Sequence, residues 1–320
     1  MTTTGAANLQ AVIRALGPKI VIIEEAAEVL ESHVLANLSP QTQHVIMIGD
    51  HQQLRPKTDL YQLAVESKKN YNLDLSMFER LVRVYKFQAH TLSHQRRMRP
   101  CVSALISSIY PQLQDHAQVL EYPDVQGTNA NVFFFDHNHP EGGEQDDESL
   151  SKVNEFEVLM VVKFARYLLL QGYGPGDITI LTPYLGQLKR LKTLMSETTM
   201  IFVDERDEED LRKLHGRAEA DDADAPDIPD EEPCDYTVES IAKRLRLATI
   251  DNFQGEESKI VLISLVRNNA RGAIGFLKAT NRINVLLSRA MHGMFLFGHS
   301  PSLVKDRNSK MWPEVLGILK

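Results

Sequence analysis

Apolar residues along this chain gather into seven short runs: KIVII (19–23), HVIMIG (44–49), NVFFFD (131–136), DITILT (177–182), LRLATI (245–250), KIVLISLV (259–266) and GMFLFG (293–298). Most are nearly unbroken rather than alternating, the pattern of strands covered on both faces, as in a parallel sheet. Between them lie stretches of helical period. In NEFEVLMVVKFARYLLLQ (154–171) apolar positions recur three and four apart, and Gly172 supplies a stop. Strands alternating with such helices predict an α/β fold of parallel sheets covered by helices. No internal repeat is visible.

One segment breaks the pattern. VDERDEEDLRKLHGRAEADDADAPDIPDEEPCDY (203–236) carries three prolines and almost no aromatic residues. It predicts a disordered acidic insertion over about 203–239, because it cannot bury enough apolar surface to offset its ordering entropy. A solvated loop is the first reading, and an acidic flap that contacts protein partners or mimics nucleic acid is the second. The segment also changes the meaning of the net charge. Residues 204–239 hold 16 of the 43 acidic and 4 of the 35 basic residues, so a formal charge of −8 hides a body of 27 acidic and 31 basic residues. Global acidity therefore does not exclude a nucleic-acid partner.

Cys101 and Cys234 stand far apart, which excludes a disulfide framework or a cysteine-based zinc module within the chain and suits a reducing compartment. No apolar run approaches the roughly 20 residues of a membrane helix. The opening MTTTGAANLQ lacks the basic and apolar regions of a signal peptide. The expectation is a soluble intracellular protein.

The chemistry lies where two strands end. KIVIIEEAAE (19–28) runs from apolar residues into Glu24 and Glu25, and a helix start alone would account for the two carboxylates. About twenty residues on, HVIMIGDHQQLRP (44–56) delivers Asp50 and Gln53 to the same sheet edge. Ligands of doubly wound sheets sit outside the carboxyl ends of the strands, so four polar side chains at one edge favour a site over a helix start.

Three further stretches follow: HTLSHQRRMRP (90–100), ATIDNFQGEE (248–257) and NRINVLLSRA (281–290). In this order the five resemble the motor motifs of superfamily 1 helicases, in the branch of the nonsense-mediated-decay RNA helicases, nearest its zinc-finger-bearing helicase-like members. The resemblance runs from about residue 3 to about residue 300. It implies two RecA-like α/β domains of a P-loop NTPase core, with ATP and Mg²⁺ between them and single-stranded RNA crossing both. The choice of RNA over DNA rests on the branch alone, as does a cytoplasmic place, RNA granules included.

The resemblance also implies roles. Glu25 would polarise the attacking water, and Glu24 would hold Mg²⁺ through its waters, with a Glu where the family has Asp. Gln53 would contact the γ-phosphate, with Arg55 and Pro56 on the nucleic-acid side. Arg97 would reach the γ-phosphate from the second domain, and Arg96 would replace a tyrosine beside adenine. Gln254, Gly255 and Glu257 would line the nucleotide, and Arg289 would be a second arginine finger. ILTPYLGQ (180–187) resembles a stretch facing the strand, with Thr182 and Tyr184 as contacts.

The phosphate loop G-x-x-x-x-G-K-[ST] is not in the sequence; GPKI (17–20) has neither its spacing nor its hydroxyl. Residues 1–85 are therefore expected to be the C-terminal part of a first RecA-like domain, poorly stable alone, and 86–320 a complete second one. Three functions stay open: an ATP-dependent RNA helicase or translocase core, a non-hydrolysing module that binds RNA or protein partners, and a DNA-directed helicase. His90 and His94 stand four apart but lack a third ligand nearby, which argues against a metal site. Phe253 and Trp312 are expected in the core.

Overall fold

The computed structural model describes residues 3–58, 60–142, 152–196, 201–221, 244–305, 309 and 311–319. The chain divides into two compact units, Met1–Leu92 and Ser93–Lys320.

The first unit contains α1 (Thr3–Asn8), α2 (Gln10–Leu16), β1 (Ile20–Ile23), α3 (Glu31–Ala36), β2 (His44–Met47) and α4 (Met77–Glu79), which runs into a π turn at Arg80–Val84. β1 and β2 pair in parallel, Ile20 opposite His44 and Ile23 opposite Met47. Val21, Ile23 and Met47 pack with Ala26, Val34, Met77 and Phe78. Strand alternation sends Ile20, Ile22 and Ile46 to the other face, where they are exposed. One face of this pair is therefore exposed.

The second unit is built on a six-stranded parallel sheet of order β5-β10-β9-β6-β8-β7. A small parallel pair, β3 (His94–Gln95) and β4 (Gln114–Asp115), accompanies it, with α5 (Pro100–Ser103) and α6 (Ala117–Leu120). The sheet strands are β5 (Val132–Asp136), β6 (Ile178–Thr182), β7 (Ile201–Val203), β8 (Leu245–Thr249), β9 (Ser258–Ser264) and β10 (Ala290–Gly298). The helices are α7 (Glu155–Leu170), α8 (Leu185–Ser196), α9 (Glu205–Asp221), α10 (Thr280–Leu287), α11 (Ser300–Lys305) and α12 (Met311–Ile318). The central strands are buried on both faces, which is why they read as continuous apolar runs. Val158, Val161, Leu168, Leu188 and Leu191 of α7 and α8 cover one face. Trp312 is fully buried and donates its indole N–H to the Leu277 carbonyl at 2.9 Å, and Phe253 is buried as well.

The acidic segment departs from expectation. Its start is ordered: Val203 belongs to β7 and residues 205–221 form α9. Leu211 anchors the helix in the core, with Leu214 packed against it. Leu211 and Leu214, three apart, supply the stripe of apolar contact of an amphipathic helix. The rest of the expected insertion, 222–239, lies outside the described residues.

Candidate functional site

In the first unit, β1 ends at the buried Ile23 and the chain turns sharply at Glu24–Ala27. Glu25 has φ of 50°, a left-handed conformation that costs a non-glycine residue of order 1 kcal/mol. The turn is tied to β2 through Ala26 N–H to the Ile48 carbonyl (2.8 Å) and Ile48 N–H to the Ile23 carbonyl (2.8 Å). Gly49 is needed there: a Cβ would lie 2.9 Å from Ala27 N and 3.0 Å from Ala26 N. Gly49→Ala should therefore push β2 off the turn and lower the unit's stability by about 1–3 kcal/mol, read as a lower unfolding midpoint in urea. Past the glycine, Asp50 accepts the Gln52 N–H (2.9 Å) and the Gln53 side-chain amide (3.4 Å). Glu24 is exposed and Glu25 half-buried.

Among the described residues, no group of three or more His, Cys, Asp or Glu could hold a metal ion, the His90 and His94 stretch included. Mg²⁺ does not require such a cage, since it keeps waters and takes one or two carboxylates plus substrate phosphates. The exposed Glu24 carboxylate fits that donor set.

In the second unit, Gln95 shapes the Arg-rich turn. Its side-chain oxygen accepts the N–H groups of Arg97 (2.9 Å) and Met98 (2.7 Å), and its amide donates to Asp115. Arg97 is thereby presented half-exposed. Its Nε donates to Glu257 at 2.6 Å and its Nη1 to the Ser288 carbonyl at 3.3 Å. Arg289, next in sequence, is fully buried. Its guanidinium donates to the carbonyls of Val285 (2.9 Å) and Glu256 (3.2 Å) and to the Ser288 hydroxyl (2.9 Å). Gly255, at φ 80°, makes the bend that sets Glu256 and Glu257 side by side. Glu256 pairs with Arg246, and Glu257 takes Arg97. Arg97, Glu257 and Arg289 thus form one cluster, with Gln254 half-buried beside it in sequence and Arg96 exposed.

Four expected contacts are placed otherwise. Arg55 grips Glu79 with two hydrogen bonds (2.9 and 2.8 Å), and Arg83 adds a third (2.7 Å). Burial works against the Glu79 charge, but the hydrogen bonds from Arg55 and Arg83 outweigh it and hold the carboxyl below its usual range. Arg55 is thus committed within its own unit, and Pro56 is buried. Thr182 and Tyr184 are fully buried as well. Tyr184 lies two residues past central β6, where its hydroxyl accepts from Arg267 (3.0 Å) and donates to the Ile274 carbonyl (3.4 Å). Its ring is not available to stack on a base.

Another positioned side chain belongs to none of the motifs. Glu157 is fully buried and accepts from the Ser264 hydroxyl (2.5 Å) and Val266 N–H (2.9 Å), with His137 Nε2 at 3.0 Å. Its spacing from Asn154, the helix cap, is a capping pattern that could have marked it. Gln95 and Asp207 had no such local mark.

Comparison with known proteins agrees with the motif order. Two family profiles described as AAA domains match residues 1–59 and 73–301. The whole chain is 40% identical over 321 residues to NFX1-type zinc finger-containing protein 1 of Mus musculus, covering 14% of it. Over 98% of its length it is 35% identical to the Helicase required for RNAi-mediated heterochromatin assembly 1 of Schizosaccharomyces pombe, 27% of which is covered. Over 94% it is 27% identical to the Putative ATP-dependent RNA helicase ECM32 of Saccharomyces cerevisiae, 26% of which is covered. The chain thus spans about a quarter or less of these relatives. With the AAA profile over 73–301, the parallel α/β sheet and the five motifs in order, the chain belongs to the AAA-domain helicases of superfamily 1 and has their RecA-like fold.

Proposed function

We propose that this chain is part of an ATP-driven motor acting on single-stranded RNA, with Mg²⁺ as cofactor. The observation that carries the reading is the Arg97–Glu257–Arg289 cluster. Phosphoryl transfer needs little covalent chemistry, so charge stabilisation and positioning dominate, and an arginine at the γ-phosphate contributes roughly 10³–10⁵ in rate. Arg97 fills that role, and Arg289 braces the Glu256 backbone beside it. In the first unit Glu25 polarises the attacking water, Glu24 holds Mg²⁺, and Gln53, already oriented by Asp50, reports the γ-phosphate. Gln254 and Gly255 line the nucleotide, with Arg96 near the base. The names of two relatives, an RNA helicase and an RNAi-linked helicase, favour RNA over DNA. Strand binding is then largely electrostatic and weakens with salt.

A second reading, a non-hydrolysing module that binds RNA or protein partners, is favoured by one observation: these 320 residues contain no G-x-x-x-x-G-K-[ST] loop. RNA-stimulated ATP hydrolysis separates the two. We expect hydrolysis when that loop is supplied in a polypeptide extended at the N-terminus, none from the 320-residue chain, and a fall of roughly 10²–10⁴ on Glu25→Gln. Inactivity of the extended polypeptide would overturn the motor in favour of the module.

A further inference from the structure

The ordered start of the acidic segment touches the same turn that holds the arginine cluster. Asp207, in the first turn of α9, is fully buried. One carboxylate oxygen accepts the Thr249 N–H at 3.0 Å; the other accepts the Thr249 hydroxyl at 2.5 Å and the Asn252 side-chain amide at 2.6 Å. Arg206 donates to the Asn252 carbonyl at 2.8 Å and to Asp204 at 3.0 Å. Asp204 in turn lies 3.5 Å from Arg246, whose guanidinium holds Glu256 and sits over the Phe253 ring at 4.9 Å. All three of these Asp207 hydrogen bonds leave the helix for the Thr249–Asn252 turn. A buried carboxylate that no hydrogen bond joins to a cation is a costly way to fix a turn; the nearby charge of Arg246 offsets part of that cost. Burial pushes the Asp207 carboxyl up from its usual range, with Asp204 adding to it, while the Thr249 and Asn252 donors oppose.

We infer that Asp207, seconded by Arg206, is a positioning residue for the Thr249–Glu257 turn, and through that turn for Arg97 and Arg289. The route is continuous. Asp207 fixes Thr249 and Asn252, the chain bends at Gly255, the Glu256 carbonyl then receives Arg289, and the Glu257 carboxylate receives Arg97. The acidic segment is therefore more than a solvated loop, because its leading turn sets the geometry of the cluster. What the arginines do with that geometry rests on the proposed hydrolysis; the positioning itself does not.

Amide hydrogen exchange, read by mass spectrometry, tests it on the 320-residue chain. Asp207→Asn keeps the volume but turns an N–H₂ toward donors. It should speed exchange across 249–257 by roughly tenfold or more, with α7 and β10 unchanged. Arg206→Ala, at a half-exposed side chain, should speed the same amides severalfold without moving Tm. Glu209→Gln, on the exposed side of α9, should change nothing. In the loop-extended polypeptide, Asp207→Asn should lower kcat roughly ten- to hundredfold while KM for ATP moves less than about twofold. Unaltered exchange at 249–257 in both variants would overturn the inference. Faster exchange with unaltered kcat would overturn the link to the arginines. An inactive unsubstituted polypeptide would overturn the hydrolysis reading alone and leave exchange to decide the positioning.

Discussion

Arg97→Ala, in a polypeptide that hydrolyses ATP, is expected to lower kcat by roughly 10³-fold or more while leaving the fold intact. Arg97 is the cleaner of the two arginines to remove. Its side chain is 30% exposed, and its partner Glu257 is 46% exposed. An ion pair that wet contributes between about 0 and 1 kcal/mol, and the Glu257 carboxylate left behind is solvated. Tm should therefore barely move, and RNA affinity should stay within about twofold, since Arg97 is read as meeting phosphate of the nucleotide. Arg97→Lys should recover little of the rate, because a point ammonium cannot reproduce the planar fork that now spans Glu257 and the Ser288 carbonyl. Arg289 behaves differently. It is buried and satisfies two backbone carbonyls, so Arg289→Ala should lose stability along with rate. Steady-state RNA-stimulated hydrolysis beside a thermal melt separates the two patterns. An Arg97→Ala rate within tenfold of the unsubstituted polypeptide would remove Arg97 from the chemistry.

The sheet was legible because parallel central strands are buried on both faces and leave unbroken apolar runs. DITILT and KIVLISLV appear as β6 and β9 nearly residue for residue. β1 and β2 gave the same signal for a different situation, since hydrophobicity alone does not say whether a face is covered. The motif order identified the family because each motif is local in sequence. What motifs do not carry is side-chain direction. Tyr184 and Arg55 sit in recognisable stretches, but Tyr184 points into the unit against Arg267 and Arg55 turns to Glu79, 24 residues on. Helix α9 was hidden by composition: its Asp and Glu content reads as solvated, while Leu211, Leu214, Arg206 and the buried Asp207 carboxylate tie it down. Asp207 is indistinguishable in sequence from the acids around it, because its partners, Thr249 and Asn252, lie 42 and 45 residues away.

The largest stability effect should come from Glu157. Glu157→Ala would leave the Val266 N–H, the His137 ring nitrogen and the donated hydrogen of Ser264, whose oxygen still accepts from Gln187, without their carboxylate partner in the interior, at about 1–3 kcal/mol for each unsatisfied group. A loss of about 3–5 kcal/mol is expected, which in a unit of this size lowers Tm by roughly 10 °C. Glu157→Gln should cost less, about 1–3 kcal/mol, because one oxygen still accepts. The reason Glu157 matters beyond its bonds is Val266. This β-branched residue has φ of 70°, and Arg267 N–H reaches back to the Leu265 carbonyl at 2.8 Å across it, a strained γ-turn geometry. Such strain persists only where surrounding contacts over-determine it; here Glu157 accepts the Val266 N–H and the Asn154 side-chain amide donates to the Val266 carbonyl at 3.2 Å. The kink sends Arg267 to Tyr184 and Glu141, both in the interior. Glycine at 266 adopts this φ without strain, so the turn should then need Glu157 less. In a double-mutant cycle, Glu157→Ala should cost less in a Val266→Gly background, with a coupling of at least about 0.5 kcal/mol. Strictly additive losses would mean that Glu157 stabilises the interior without holding the turn.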